Sequence, residues 1–150
     1  MVVLIDSGPL GLISNPRMSH TAHACRNWAD LLLKTGHVIV LPEIADYEVR
    51  RELIRAKKTS GIQRLDQLKS GLFFYLPLST EAMLKAAEFW AQARNEGQPT
   101  APNLALDGDV ILAAQAWCML QFDPSVVIAT SNPKHLSRFV KAEEWQKIAP

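Results

Sequence analysis

The chain predicts an α/β fold built on a parallel sheet with helices on both faces. Three observations lead there. Short, apolar, β-branched runs alternate with helix-length segments along the chain. The first run, Val2-Val3-Leu4-Ile5, contains no polar residue, as a strand buried on both faces requires. That run ends at once in Asp6, and a carboxylate at the end of a buried strand is costly unless something pairs with it. In open α/β sheets the carboxyl ends of strands are where ligands bind, so Asp6 marks a candidate site.

The elements follow in order. Val2–Ile5 is the first strand, and the pair Gly8-Pro9 after Asp6-Ser7 reads as a turn. Ser19 to Lys34 reads as a helix, capped at Gly36 or Thr35. His37–Leu41 is the second strand. Pro42 opens a helix from Glu43 to about Lys57, since proline suits a first turn. Ser60 to Lys69 is a shorter helix ending at Gly71, and Leu72–Leu76 is the third strand. Ser79 or Thr80 caps a helix to Asn95, whose apolar faces come from Ala82, Ala86, Ala87, Phe89 and Trp90. Glu96 to Asn103 contains one glycine and two prolines and reads as a surface loop. Asp107 opens a helix through Leu120, and Val126–Thr130 is the fourth strand. Pro133–Phe139 and Glu143–Ile148 carry no decisive periodicity.

The bulk properties bound the function. The 150 residues suit one domain spanning 1–150, with no repeat or linker to divide it. A formal net charge of +1 advertises no global field for nucleic acid, though it leaves room for a local basic patch. Cys25 and Cys118 lie far apart in apolar, helix-like stretches and read as free thiols of a reducing compartment. No secretory leader and no run near the roughly 20 apolar residues of a membrane span is visible. A cytoplasmic protein with no membrane partner is the expectation.

Acidic residues fall where such a fold could gather them: Asp6, then Glu48 on the helix after the second strand, then Asp107 and Asp109 at the start of a later helix. Gathered carboxylates raise one another's pKa, and a hard divalent cation with oxygen ligands removes the repulsion. Each also has a plainer role. Asp6 suits a turn or helix cap, Glu48 an ion pair with Arg51 or Arg55, Asp107 an N-cap, and Asp109 the helix dipole.

Four motifs in order give the set a family. The strand ending in Asp6-Ser7, the Glu48 helix, Asp109 with Leu112-Ala113-Ala114, and Val126–Thr130 followed by Ser131-Asn132 resemble the PIN-domain family over nearly the whole chain. The resemblance implies a PIN-like three-layer α/β/α fold with a central parallel sheet of four or five strands. It implies a Mg²⁺- or Mn²⁺-dependent endoribonuclease, often the toxin of a bacterial toxin–antitoxin pair. Asp6, Glu48 and Asp109 then correspond to metal-binding acids, and Thr130 and Asn132 to polar residues near the scissile phosphate. Where many relatives carry a fourth acid three residues after the asparagine, this chain has His135; Asp107 is the candidate to stand in as a metal ligand. RNA is the implied substrate, with a small antitoxin protein and a second copy of the chain as partners to look for.

Other polar features are weaker. Arg50, Arg51, Arg55, Lys57 and Lys58 form a basic run, in which Arg51 and Arg55 share the Glu48 side of a helix. They suit RNA phosphates, an acidic antitoxin segment, or plain solvation. His20 and His23 lack a third ligand and read as surface residues, and Trp28, Trp90, Trp117 and Trp145 as core or interface anchors. Two rival readings stand beside the ribonuclease. One is a PIN-like scaffold or binding protein with impaired catalysis, favoured by His135. The other is a metal-dependent phosphatase, disfavoured because Gly8 stands where an aspartyl-phosphate enzyme usually has its second acid.

Overall fold

The computed structural model describes residues 1–17, 19–96 and 103–150, without the side chains of residues 103–106. Five parallel strands run β1 (Val2–Ile5), β2 (Val38–Pro42), β3 (Phe74–Leu76), β4 (Val126–Thr130) and β5 (Ala142–Glu144), in spatial order β3-β2-β1-β4-β5. The register pairs Val3 with Ile39 on one side and with Val127 on the other. β1 and β4 are buried along their whole length, as their unbroken apolar runs require. The fifth strand resolves the ambiguous C-terminal stretch, and short 3₁₀ turns, Leu136–Arg138 and Trp145–Lys147, flank it.

Six helices among the described residues cover the two faces: α1 (Ser7–Ser14), α2 (His20–Lys34), α3 (Glu43–Arg55), α4 (Thr59–Gln67), α5 (Thr80–Asn95) and α6 (Asn103–Leu120). Alternate strand residues divide the core accordingly. Val3, Ile5, Ile39, Leu41, Val127 and Ala129 face Leu10, Leu32, Val49 and Leu65 of α1 to α4. Leu4, Val40, Val126 and Ile128 face Ala86, Phe89, Leu112 and Ala116 of α5 and α6. Trp28 and Trp145 meet at 5.6 Å between ring centroids in the first core, and the Trp28 indole N–H donates to the Ile148 carbonyl at 3.0 Å.

Three elements differ from the sequence reading. The Gly8-Pro9 pair lies inside α1 rather than in a turn. Pro9 is the third helical residue, where the backbone N–H would lack an intrahelical partner in any case. Asp6 supplies the cap that starts the helix. α6 starts at Asn103, a full turn before Asp107; of the loop expected over Glu96–Asn103, Glu96 caps α5 and residues 97–102 lie outside the described residues. The third strand is shorter than read, because α4 runs on into a π-helical turn over Leu68–Leu72.

Candidate active site

The strand order reverses between β1 and β4. The chain builds outward from β1 through β2 to β3, then returns to lay β4 on the other side of β1. Such a switch point leaves a crevice at the carboxyl ends of the two strands. Asp6 closes β1 there and Thr130 closes β4. The Thr130 hydroxyl, on a residue only 2% exposed, donates to Asp6 Oδ2 at 2.7 Å. Asp6 Oδ1 accepts from the Ser7 backbone N–H at 2.6 Å, and the Asp6 N–H donates to the Ala129 carbonyl at 2.9 Å. The aspartate is held from three sides.

Two further acids reach the same place from helices. Glu48 sits on α3, which begins directly where β2 ends, and Asp109 sits on α6. Gln115 ties those helices together: its Oε1 accepts from the Ile44 N–H at the start of α3 at 3.4 Å, and its amide donates to the Leu76 carbonyl at 3.0 Å. The acids sense one another. Burial first, and then Asp6, push the Glu48 carboxyl above its ordinary value; Arg51 opposes the shift and Asp109 adds to it. Asp109 is raised by burial and by Asp6, with His135 opposing. Arg51 Nη2 lies 4.0 Å from Glu48 Oε2.

Gly108 is built into this arrangement. A Cβ at that position would stand 3.0 Å from Glu48 Oε2 and 3.2 Å from its carboxyl carbon, so the missing side chain is the space the carboxylate occupies. The donor set is all oxygen, the type a hard cation such as Mg²⁺ or Mn²⁺ prefers. Among the described residues, no three His, Cys, Asp or Glu side chains are drawn together tightly enough to hold an ion as they stand. The set fits such a cation in donor chemistry and in its shared, unrelieved repulsion; ligation requires the carboxylates to draw in.

No protein-family model matches the chain, and no curated protein sequence matches it. Solved structures do. VapBC2 from Rickettsia felis, bound to a DNA fragment from its promoter, superposes with a TM-score of 0.73 at 18% identity, over 97% of this chain and 99% of that one. FitAcB from Neisseria gonorrhoeae gives 0.68 at 18% identity over 97% and 99%. VapBC-1 from nontypeable Haemophilus influenzae gives 0.69 at 15% identity over 98% and 100%. The fold is PIN-like.

Within this PIN-like frame the remaining sequence candidates take their places. Thr130 Oγ1 also accepts from the Asn132 N–H at 3.1 Å, and Asn132 Oδ1 accepts from the Lys134 N–H at 3.3 Å, so the β4 edge turns in one hydrogen-bonded chain leading back to Asp6. His135 lies within electrostatic reach of Asp109, and its buried Nδ1 has no hydrogen-bond partner among the described residues. Asp107 is not brought to the acids. Because α6 begins at Asn103, Asp107 is helical rather than capping, and its side chain diverges from that of Asp109 by about 200°. It is exposed and lines a separate depression with Met83 and Trp90 of α5.

The residues that sequence reasoning passed over are Ser7, Gly108 and Gln115. Only Gly108 carried a local signal, a glycine inside a helix start, where it costs roughly 1 kcal/mol against alanine and so asks for a reason. Cys25 is a free thiol buried in the core, and burial pushes it up to about 12. His20 and His23 are exposed on α2, as expected of surface residues. Arg50 turns from the acids to Asp46 and Asp66, at 3.0 and 2.8 Å.

Proposed function

We propose that this chain is a metal-dependent endoribonuclease that hydrolyses RNA phosphodiesters in the cytoplasm, acting as the toxin of a type II toxin–antitoxin pair. The observation that carries the proposal is that Asp6, Glu48 and Asp109 lie within electrostatic reach of one another at the switch point, with burial and mutual repulsion left for a cation to relieve. The toxin role draws on the VapBC and FitAB complexes, which are toxin–antitoxin proteins sharing this fold. The same analogy supports a small antitoxin protein as partner; RNA as substrate and a second copy of the chain follow from the sequence resemblance. No helix among the described residues is long and apolar enough to cross a membrane.

In this reading Asp6, Glu48 and Asp109 hold Mg²⁺ or Mn²⁺. The ion would supply charge neutralisation for the acids and for the oxygens that gain charge as the phosphodiester is displaced. The protein's own groups do the positioning. Thr130 and Ser7 fix the Asp6 carboxylate. The Asn132 carboxamide, with its oxygen turned to Lys134, has its nitrogen to donate to a phosphate oxygen. Gln115 keeps the Glu48 and Asp109 helices in register. The deciding assay is RNA cleavage by the purified chain with EDTA, Mg²⁺ or Mn²⁺, and with Asp6→Asn. Metal-dependent cleavage lost in the variant is expected. Turnover of a phosphate monoester without RNA cleavage would sink the proposal. Expression in a bacterium should slow growth, and Asp109→Asn should relieve it.

One observation favours a second reading, a PIN-like binding protein without catalysis: the acids do not close to ligand distance, and His135 replaces a fourth. RNA binding with no cleavage in any metal would select it.

A further inference from the structure

A cleft of about 470 Å³ opens beside the acids, between α1 and α3. Its floor is small and polar: Ser7, Gly8, Gly11 and Ser14 lie along α1, and a Cβ added at Gly11 would meet nothing within 4 Å. Its wall is α3. Glu48 stands at the end next to Asp6, Arg51 and Arg55 follow on the same side of α3, and Lys58, just past the end of that helix, lines the same cleft. The chain leaves α3 at Lys57 (φ 56°), where the Lys58 N–H bonds back to the Leu53 carbonyl at 2.9 Å.

We propose that this cleft is a phosphate track for single-stranded RNA, in which the cations on α3 hold the phosphates next to the one that lies at the acids. The inference rests on the ribonuclease reading and deepens it. Glu48 stands at one end of the cleft, and beyond it three cations, Arg51, Arg55 and Lys58, outnumber the one further acid in the lining, Glu52. The Arg51 and Arg55 side chains are 54% and 74% exposed, so they can swing to a ligand. The pairing of Arg55 with Glu52 at 2.8 Å is solvent-facing on both sides and is worth little, so a phosphate can displace it. An acidic peptide would meet the same cations. The test below separates that occupant from RNA. α1 and α3 pack directly against each other, which suits a flexible strand rather than a duplex.

The test is binding of a labelled twelve-nucleotide oligouridylate to the full chain in EDTA, by fluorescence anisotropy over a range of salt. Arg55→Ala with Lys58→Ala should weaken binding about tenfold and lower the log–log salt slope by about 1.4, at roughly 0.7 per lost phosphate contact. Glu52→Gln should tighten binding. Both altered cations are exposed, so the melting temperature should stay put, which separates lost contact from lost fold. An unchanged salt slope in the double variant overturns the track. So does a glutamate oligomer that displaces the RNA at equal charge and depends equally on the two cations, because that outcome makes the cleft a peptide site. If the slope falls but no RNA is ever cleaved, the track stands and the ribonuclease reading fails. If RNA is cleaved at a rate that ignores Arg55 and Lys58, the ribonuclease reading stands and the track fails.

Discussion

Thr130→Val isolates the hydroxyl on which the site is built. The substitution keeps the volume and removes one oxygen from a residue that is 2% exposed. Two hydrogen bonds go with it: the donation to Asp6 Oδ2 at 2.7 Å and the acceptance from the Asn132 N–H at 3.1 Å. A bond to a charged acceptor is worth about 1.5–3 kcal/mol, and a neutral backbone bond about 0.5–1.5. Asp6 is half-buried and water can serve its freed oxygen in part, so the lower end applies to both. The expected loss is about 2 kcal/mol. For a chain of this length each kcal/mol moves the melting temperature by roughly 2–4 °C, so a fall of about 4–8 °C is expected by calorimetry.

Thr130→Ser is the counterpart. It retains both bonds and loses a buried methyl, at about 1 kcal/mol. Cleavage should follow the hydroxyl and not the methyl: near wild type in the serine variant, reduced at least about tenfold in the valine variant, because an unheld Asp6 spends less time in its bound position. Tolerance of valine within about 0.5 kcal/mol, with serine the more damaging change, would refute this account. Thr130 would then be a packing residue.

The other predictions concern the acids and their surroundings. Without metal, Asp109→Asn and Glu48→Gln should each match or exceed the wild type in stability at pH 7. Their folded-state carboxyl pKa values are raised, so the native wild type binds more protons than the unfolded chain and loses stability as pH rises through that window. The advantage should vanish as pH falls to about 4, the ordinary carboxylate range, and millimolar Mn²⁺ should raise the melting temperature of the wild type and not of Asp109→Asn; an indifferent wild type counts against the site. Gly108→Ala should gain up to about 1 kcal/mol of helix propensity while its Cβ moves the Glu48 carboxylate, 3.0 Å away, and lowers cleavage. A variant that is both more stable and fully active would show that Glu48 need not sit there. Asp107→Asn should lower cleavage less than Asp109→Asn does, and His135→Asp, which restores an oxygen ligand, should retain activity with Mg²⁺ at least as effective as in the wild type; rates in both metals decide this.

Much of the fold was legible because buried parallel strands leave an unmistakable trace: β1 and β4 fall on Val2–Ile5 and Val126–Thr130 as read. β5 was not, because Ala142–Glu144 is three residues of no β character, and only its pairing with Ile128 to Thr130 makes it a strand. The start of α6 was misplaced for the opposite reason. Leu104 to Leu106 is apolar helix-forming sequence, and the capping preference of Asp107 outweighed it in the reading. That one-turn error matters chemically, since it decides whether Asp107 can face Asp109. Glu48 and Asp109 were legible as acids on helices, but Gln115, which holds those helices together, looks in sequence like any polar residue in an apolar run.

Asp6 shows why the structural and functional readings of a residue need not compete. As a turn or cap former it should spend its carboxylate on a backbone N–H; as a site residue it should present that carboxylate to the crevice. Its two oxygens divide the work. Oδ1 accepts from Ser7 N–H and starts α1, and Oδ2 accepts from Thr130 across the switch point. The Ser7 hydroxyl also donates to Oδ1, at 3.4 Å, so it is Oδ2 whose second lone pair is left for a ligand. Capping α1 is also what lets the chain leave β1 directly into a helix containing Gly8, where a Cβ would stand 2.5 Å from Ser131 Oγ. The β4 edge can therefore close onto α1, bringing Thr130 within 2.7 Å of Asp6. The cap, the small residue and the hydroxyl form one device that holds a charged group still at the place where the sheet opens.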